Sequence, residues 1–435
     1  MKKFLKIITL YDFLYPFYKK SFLYQFIKKT YAQIANMMSG FPSKDFVVIG
    51  VTGTDGKTTT SNILHKIIND NLGKTLMIST AYIKLGDQKI FNKTKMTSLD
   101  VFDLQGYLST AKDSGCQYAV LEVSSHALDQ FRFEGVEFDG AVLTNITPEH
   151  LDYHGTLENY ANTKRKLFEY VATNSKNNKR AALPKDDEFG RKRADEIGFD
   201  KMMSFSINSS SMLRATNIQL SLEKTVFTLQ YLGKEFQITT GLLGEHNVYN
   251  ILAATAMGIL MGIDLQKIIA SIQSFEGVSG RLEYIDIKGV HVFVDFAHTP
   301  NALESTLKFF KTANKSGRLI TVFGAPGKRD KYKRPLMGEI ADRYSDIMIV
   351  TDDDADTENR LDIISQIIQN IKRKEGDNYF IIPERKFALT LALDIAKPGD
   401  FIILAGKGHE KIQLTNFGKR ERNDKEKILE LAAKK

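Results

Sequence analysis

From Phe46 onward, short apolar runs alternate with longer stretches that carry a single apolar stripe. The short runs read as strands buried on both faces and the longer stretches as covering helices, so the alternation predicts a mainly parallel sheet. Strand-like runs are Phe46–Val51, Thr75–Ile78, Tyr118–Glu122 and Gly140–Leu143, with helical periodicity near Thr58–Asn71, Val101–Ser114 and Leu157–Ala172. From about Lys176 to Gly241 the pattern loosens. Alternation in Thr225–Tyr231 and Glu235–Thr239 predicts an antiparallel insertion or sheet edge there. Two helical stretches follow, Val248–Met261 and Ile263–Phe275, and Glu276–Gly280 has the composition of a hinge. The alternation then resumes with strands at Val290–Asp295, Leu319–Phe323, Ile347–Thr351, Tyr379–Ile382 and Phe401–Ala405. Helices are predicted between them at Asn301–Lys311, Lys333–Tyr344, Leu361–Arg373 and Lys386–Ile395. A second α/β domain is therefore predicted.

Composition refines this only slightly. A chain of 435 residues, 43% hydrophobic and 26% charged, can bury sizeable cores in two or three domains. The net charge of +8 suits acidic substrates such as nucleotides, but equally nucleic acid or an anionic membrane. The single cysteine, Cys116, excludes an internal disulfide and any multi-cysteine zinc site, which fits a cytoplasmic location. Residues 1–42 stand apart. They hold Lys2, Lys3, Lys6, Lys19, Lys20, Lys28 and Lys29 against one acid, Asp12, with many aromatics interleaved. Such an arm either lies on an anionic membrane surface or packs its aromatics on its own protein.

Candidate chemistry begins at Gly53-Thr54-Asp55-Gly56-Lys57-Thr58-Thr59, between a strand-like run and a helix start. Glycines there let the backbone approach an anion, the helix N-terminus offers amides, Lys57 adds a point charge, and the Thr58 hydroxyl can ligate Mg²⁺. Val51 stands where the usual phosphate-loop spacing has its first glycine. Two later strands run into polar segments, Glu122–His126 and Thr144–Asp152. Ligands in open α/β sheets bind off such strand ends, so both segments are expected to converge with the loop.

Several separated motifs then agree. Met96-Thr97-Ser98-Leu99-Asp100, Glu122-Val123-Ser124-Ser125-His126 with Gln130 and Arg132, and His150-Leu151-Asp152-Tyr153-His154-Gly155 lie in the first half. Gly280-Arg281-Leu282-Glu283, Asp295–Pro300, Arg329-Asp330-Lys331 with Lys333-Arg334-Pro335, and Ala405–Glu410 follow in the second. In order and breadth this set resembles the Mur ligase family, most closely its UDP-N-acetylmuramoyl-tripeptide synthetases. The resemblance implies a central P-loop-type, mostly parallel sheet domain over 44–278, followed by a smaller Rossmann-like α/β domain over 279–435. Residues 1–43 would form a short helical arm in place of the family's larger uridine-binding domain.

The resemblance also implies ATP-dependent amide formation, in which a carboxylate attacks the γ-phosphate and an amino-acid amine captures the acyl phosphate. Lys57, Glu122, His150 and Lys164 would be catalytic. Thr58 and Glu122 would hold one Mg²⁺, and Glu122, His150 and Lys164 a second, with Lys164 carbamylated so that it offers oxygen. Gly53, Thr54, Asp55, Gly56, Thr59, Asn247, Asn250, Arg281, Asp295, Lys331 and Arg334 would join Lys57 and Thr58 at the nucleotide. Thr97, Ser98, Ser124, Ser125, Gln130 and Arg132 would meet the muramoyl peptide.

Asp353, Asp354, Asp356, His409 and Glu410 would meet the amino acid. The diaminopimelate-adding members carry D-N-P-R where this chain has Asp353-Asp354-Ala355-Asp356, which places a carboxylate where they have a carboxylate binder. That exchange favours a cationic amino acid such as lysine or ornithine. Competing readings are a folylpolyglutamate-synthetase-like ligase, a nucleotide-binding scaffold that no longer ligates, and a nucleic-acid-stimulated ATPase. The joint presence of Lys57, Glu122, His150 and Lys164 argues against the scaffold. No evident nucleic-acid recognition motif supports the ATPase.

Overall fold

A computed structural model describes residues 21–188, 192, 197–313, 316–415 and 418–434. The first twenty residues of the arm lie outside that set. The arm's described part is a helix, Phe22–Met38, capped by the Ser21 side chain and followed by a 3₁₀ turn at Pro42–Asp45.

The first sheet has eleven strands in the order β11-β10-β9-β8-β7-β6-β1-β5-β2-β3-β4. At its centre β1 (Val47–Thr52) lies parallel to both β5 (Tyr118–Glu122) and β6 (Gly140–Leu143). β2 (Thr75–Ile78) extends the sheet beyond β5, and β7 (Arg180–Pro184), β8 (Lys201–Ser206) and β9 (Leu213–Leu220) extend it beyond β6, all in parallel. The two edges are antiparallel. One is formed by β3 (Tyr82–Leu85) and β4 (Gln88–Phe91), the other by β10 (Thr225–Tyr231) and β11 (Lys234–Thr240). The expected antiparallel insertion over 176–241 is thus confined to β9–β11, since β7 and β8 continue the parallel sheet.

Val51 and Ile49 face one apolar layer covered by the helices Lys57–Asn71, Glu245–Leu260 and Leu265–Gln273. Val48 and Leu121 face the other, covered by Val101–Asp113 and Leu157–Thr173. Burial on both faces explains why these central strands read as unbroken apolar runs.

The second sheet has six strands in the order β12-β13-β17-β14-β15-β16. β12 (Glu283–Ile287) is antiparallel to β13 (Val290–Asp295). The others, β14 (Leu319–Phe323), β15 (Ile347–Val350), β16 (Tyr379–Ile381) and β17 (Phe401–Ala405), are parallel. The helix expected over Leu361–Arg373 spans only Arg360–Ile367 and passes into a 3₁₀ turn, Ile368–Asn370. A hairpin, β18 (Ile412–Thr415) and β19 (Gly418–Glu421), follows β17. The last helix, Asp424–Ala433, is anchored where the fully buried Arg385 binds the Asp424 carboxylate with its fork, Nη2 to Oδ2 being 2.6 Å.

Candidate active site

Strand register brings the site together. Val51 pairs with Glu122, and Thr52 pairs with Leu143, so the loops after β1, β5 and β6 leave the sheet side by side. They open into a cavity of about 1080 Å³ that the second sheet closes from the opposite side.

The loop after β1 needs its glycines. Gly56 has φ of +81°, and a Cβ there would lie 2.1 Å from Asn250 Oδ1; one on Gly53 would lie 1.8 Å from Thr144 Oγ1. Gly56 also starts the helix Lys57–Asn71 without a side-chain cap, which leaves the first-turn amides for an anion. Lys57 Nζ donates to the carbonyls of Gly53 and Thr54 at 3.0 and 2.6 Å.

Beside the loop, Thr58 Oγ1 donates to both Glu122 oxygens at 3.0 and 3.1 Å. The Thr80 amide and hydroxyl also donate to this carboxylate, at 2.8 and 3.0 Å. From the second half of the chain, Arg281 Nη2 reaches Thr58 Oγ1 at 3.1 Å while its guanidinium lies 4.5 Å from the Phe296 ring centre. Thr299 and Asn301 donate to the two Asp55 oxygens, each at 3.0 Å. Both halves of the chain therefore grip the same loop.

Glu149, His150 and Lys164 form a second, deeper group. His150 has φ of +55° and directly precedes the short helix Leu151–His154. Strain of this kind in a non-glycine residue gathers at functional sites. His150 Nε2 lies 3.7 Å from Glu149 Oε2, and His298 Nε2 lies 3.5 Å from Glu149 Oε1. Burial pushes the Glu149 carboxyl up, but His150, His298 and Lys333 together hold it well below the usual carboxylate range. Burial lowers His150 to about 4 against the pull of Glu149, with Lys164 adding to the fall. Lys164 is completely buried and donates to the Gly53 carbonyl at 2.6 Å; burial and the Lys57 charge push its amine well below the ordinary lysine range.

A third wall carries the residues expected at the muramoyl peptide. Ser98 Oγ donates to the Glu122 carbonyl at 3.0 Å and accepts from the Ser124 amide at 2.9 Å. Arg132 donates to the Ser98 carbonyl and to Gln130 Oε1. Thr97 receives the Thr80 hydroxyl at 3.0 Å, and His154 bonds Ser125 Oγ at 3.1 Å.

The fourth wall is acidic. Oxygens of Asp353, Asp354 and Glu410 lie within 4.8 Å of one another. A lysine sits among them: Lys407 Nζ donates to Asp354 Oδ1 at 2.6 Å and also to Glu410, and lies 3.6 Å from Asp353. Burial would lower the Lys407 amine, yet the three carboxylates raise it above its ordinary value. Lys95, from the first half of the chain, adds a bond to Asp354 Oδ2 at 2.9 Å. The Glu410 carboxyl is shifted upward by burial despite Lys407, and His409 falls to about 3 through burial and the nearby Arg281.

The cavity gathers Thr54 to Thr59, Thr97, Ser98, Glu122, Ser124, Ser125, Gln130, Arg132, His150 and Lys164. Asn247, Asn250, Arg281, Asp295, Asp353, Asp354, His409 and Glu410 also line it. Four expected residues do not. Gly53 lies behind the loop with its carbonyl taken by Lys57 and Lys164. Arg334 is fully buried inside the second unit and bonded to Glu358, Gln366 and the Pro326 carbonyl. Lys331 is exposed and lies 3.4 Å from Glu358. Asp356 donates its backbone amide to the Leu414 carbonyl at 3.2 Å.

Sequence reasoning missed Glu149, His298, Lys333 and Lys407. Each sits within or beside a motif already singled out, but only the long-range contacts reveal its role. The glycine cradle, the uncapped amides and the Thr58–Glu122 oxygen pair suit a nucleoside triphosphate and a hard cation. Arg281 Nε, buried and unbonded, points to the same use.

Comparison with known proteins agrees. The Mur ligase middle domain matches residues 51–258, and the Mur ligase, glutamate ligase domain matches 280–408. A UDP-N-acetylmuramoyl-L-alanyl-D-glutamate–2,6-diaminopimelate ligase from Halalkalibacterium halodurans is 38% identical over 387 residues, 89% of this chain and 78% of the relative. The Bacillus cereus protein of the same name is 38% identical over 398 residues, 89% and 79% of the two chains. A solved ligase of that name superposes with a TM-score of 0.64 at 29% identity, covering 93% of this chain and 83% of its own. The folylpolyglutamate synthase of Mycobacterium tuberculosis, solved with ADP, shares the fold with a TM-score of 0.72 at 17% identity over 87% and 91% of the two chains. The chain belongs to the Mur ligase family of ATP-dependent ligases.

Proposed function

We propose that this ligase attaches an amino acid, as the third residue, to a muramoyl dipeptide, the reaction class its relatives' names describe. The observation that carries the reading is one continuous cavity. It places the Thr58–Glu122–Arg281 cluster, the Ser98–Arg132 wall and the Asp353–Asp354–Glu410 wall around the same space. Triphosphate, acceptor carboxylate and incoming amine then meet without diffusion of an activated intermediate.

In this account Lys57, the loop amides and Arg281 hold the phosphates. Arg132 and Ser98 orient the acceptor so that its carboxylate attacks the γ-phosphorus and ADP leaves. The amino acid, with its side chain held at Asp353, Asp354 and Glu410, presents a neutral α-amine that attacks the acyl carbon; phosphate departs and takes up the proton that the nitrogen loses. Thr58 and Glu122 would hold one Mg²⁺, and Glu122, His150 and carbamylated Lys164 a second. These ions, when bound, supply charge neutralisation for the phosphates and the approaching carboxylate. The second unit, 279–435, closes over the first and excludes water from the acyl phosphate. Mass spectrometry after incubation with ATP, Mg²⁺, UDP-muramoyl dipeptide and an amino-acid mixture tests the reading. A tripeptide product supports it, and ATP hydrolysis without product refutes it.

Carbamylation of Lys164 is supported by its chemistry. Addition to CO₂ needs a neutral amine, and both burial and Lys57 favour that form. The carbamate carbon is expected as a ¹³C NMR signal after ¹³CO₂ exchange that is absent from Lys164→Ala. Short carboxylic acids are expected to restore activity to that variant. Full activity without them contradicts the role.

The acidic wall favours an amino acid whose side chain ends in an ammonium. Asp353, Asp354 and Glu410 outnumber Lys407 and Lys95 there, and Asp353–Asp356 holds no arginine to receive a distal carboxylate. Lysine is therefore expected to be added in preference to diaminopimelate. Use of diaminopimelate with lysine ignored overturns this preference and leaves the ligase reading intact.

A further inference from the structure

The helix Phe22–Met38 is turned the unusual way round. Its small or polar residues Ala32, Ala35 and Asn36 are buried against the body of the protein, together with Tyr24. Its large apolar residues face outward: Phe22 is 84% exposed, Met38 73% and Met37 61%, and Leu23, Phe26 and Ile34 share their face. At 100° per residue these six occupy one half of the helix, and the buried set lies in the other half. A helix that served only to complete the fold would present its large residues to the core. A contiguous exposed apolar face marks an interaction surface.

The helix is firmly mounted. Ala32 and Ala35 pack on Val101, and Asn36 Nδ2 donates to the Gly135 carbonyl at 2.6 Å. Tyr31 meets Phe102 edge to face with ring centres 5.2 Å apart, which extends the apolar surface onto the helix Val101–Asp113. Lys29 Nζ lies 5.1 Å from the ring centre of Phe131, the residue between Gln130 and Arg132 on the cavity wall. The outward face thus stands next to the acceptor side of the active site.

Charge selects the occupant. Residues 1–42 carry seven lysines and one acid. A second copy of the helix, or residues 1–20 folded across the face, would bring lysine against lysine. An anionic lipid surface brings opposite charge to the basic arm that carries this apolar face. Among the described residues no helix is long and apolar enough to cross a membrane, so the fitting mode is a helix lying in the interface.

We propose that the outward face of Phe22–Met38 docks this protein on anionic lipid bilayers and holds the acceptor wall of the active site at the membrane surface. The second clause rests on the ligase reading; the docking itself does not.

The test is co-sedimentation of the full chain with vesicles of phosphatidylcholine alone or mixed with phosphatidylglycerol. Binding is expected to be about tenfold stronger to the mixed vesicles and to weaken as salt rises. The variant Phe22→Ser/Phe26→Ser/Met37→Ser is expected to lose most of that binding while ATP-dependent phosphate release in vesicle-free solution is unchanged, which shows that it folds. Equal partitioning onto both vesicles, or unchanged binding by the variant, overturns the proposal. So does a dimer in light scattering that the same variant dissociates, because a second copy then covers the face. Vesicle binding without ligation would strike only the ligase reading.

Discussion

Replacing Gly56 with alanine probes the packing that shapes the nucleotide loop. Two costs can be read from the geometry. The φ of +81° puts an L side chain in the left-handed region, at about 1 kcal/mol. The new Cβ would lie 2.1 Å from Asn250 Oδ1, so Asn250 must move. That movement breaks its bonds with Thr60 Oγ1 at 3.3 Å and Asn247 Oδ1 at 2.9 Å, worth about 1 kcal/mol each. The sum, about 3 kcal/mol, lowers the melting temperature of a unit this size by roughly 6–12 °C.

On an Asn250→Ala background the clash is gone and the same glycine substitution costs only the backbone part, about 1 kcal/mol. Scanning calorimetry on the four proteins of this cycle measures the difference directly. Independent, additive effects of the two substitutions would refute the reasoning, as would a Gly56→Ala protein that melts with the parent.

Other outcomes follow from buried charge and from the grip on the loop. His65, His150 and His409 have pKa values lowered to about 4, 4 and 3 by burial, so the unfolded chain takes up their protons first. Stability is therefore expected to fall as pH drops below about 6.5, with up to ~1.4 kcal/mol per pH unit from each histidine. Glu149, held low in the fold, adds a loss of the same sign at lower pH. In denaturant titrations His65→Gln should flatten this slope. Asp424→Asn leaves the fully buried Arg385 without its counter-charge and should cost about 3–5 kcal/mol in unfolding experiments, whereas Lys434→Ala, removing an exposed pair, should change little. Asn301→Ala removes one of the two donors that tie Asp55 to the second unit and should raise the KM for ATP more than it lowers kcat.

The parts of the fold most legible in the sequence were those buried on both faces. Val47–Thr52, Tyr118–Glu122 and Gly140–Leu143 read as strands because every position but the half-buried Val47 and Tyr118 is buried, and their polar ends marked the site. β4 gave no such signal, because Gln88–Ile90 are exposed and four residues are too few to show alternation. The parallel addition of β7 and β8 was also hidden, since pairing direction is set by crossover connections that periodicity does not record.

At the site, Lys57, Glu122 and His150 stand out in the sequence because chemistry and spacing coincide, and the cavity brings them together. Arg334 lies away from the cavity, bonded to Glu358, and a basic run looks alike whether its members face solvent, ligand or a carboxylate. Lys407 was passed over for the opposite reason. It lies inside a motif, yet its work as a counter-charge depends on Asp353 and Asp354, more than fifty positions away in the chain, as well as on the nearby Glu410.

The central claim is that the phosphate loop delivers its γ-phosphoryl group to a carboxylate of the acceptor rather than to water. The most direct measurement uses acceptor labelled with ¹⁸O in that carboxylate, with mass spectrometry of the released phosphate and of the peptide product. The account predicts one ¹⁸O atom in phosphate for every amide formed. Phosphate free of ¹⁸O, with or without product, would contradict it.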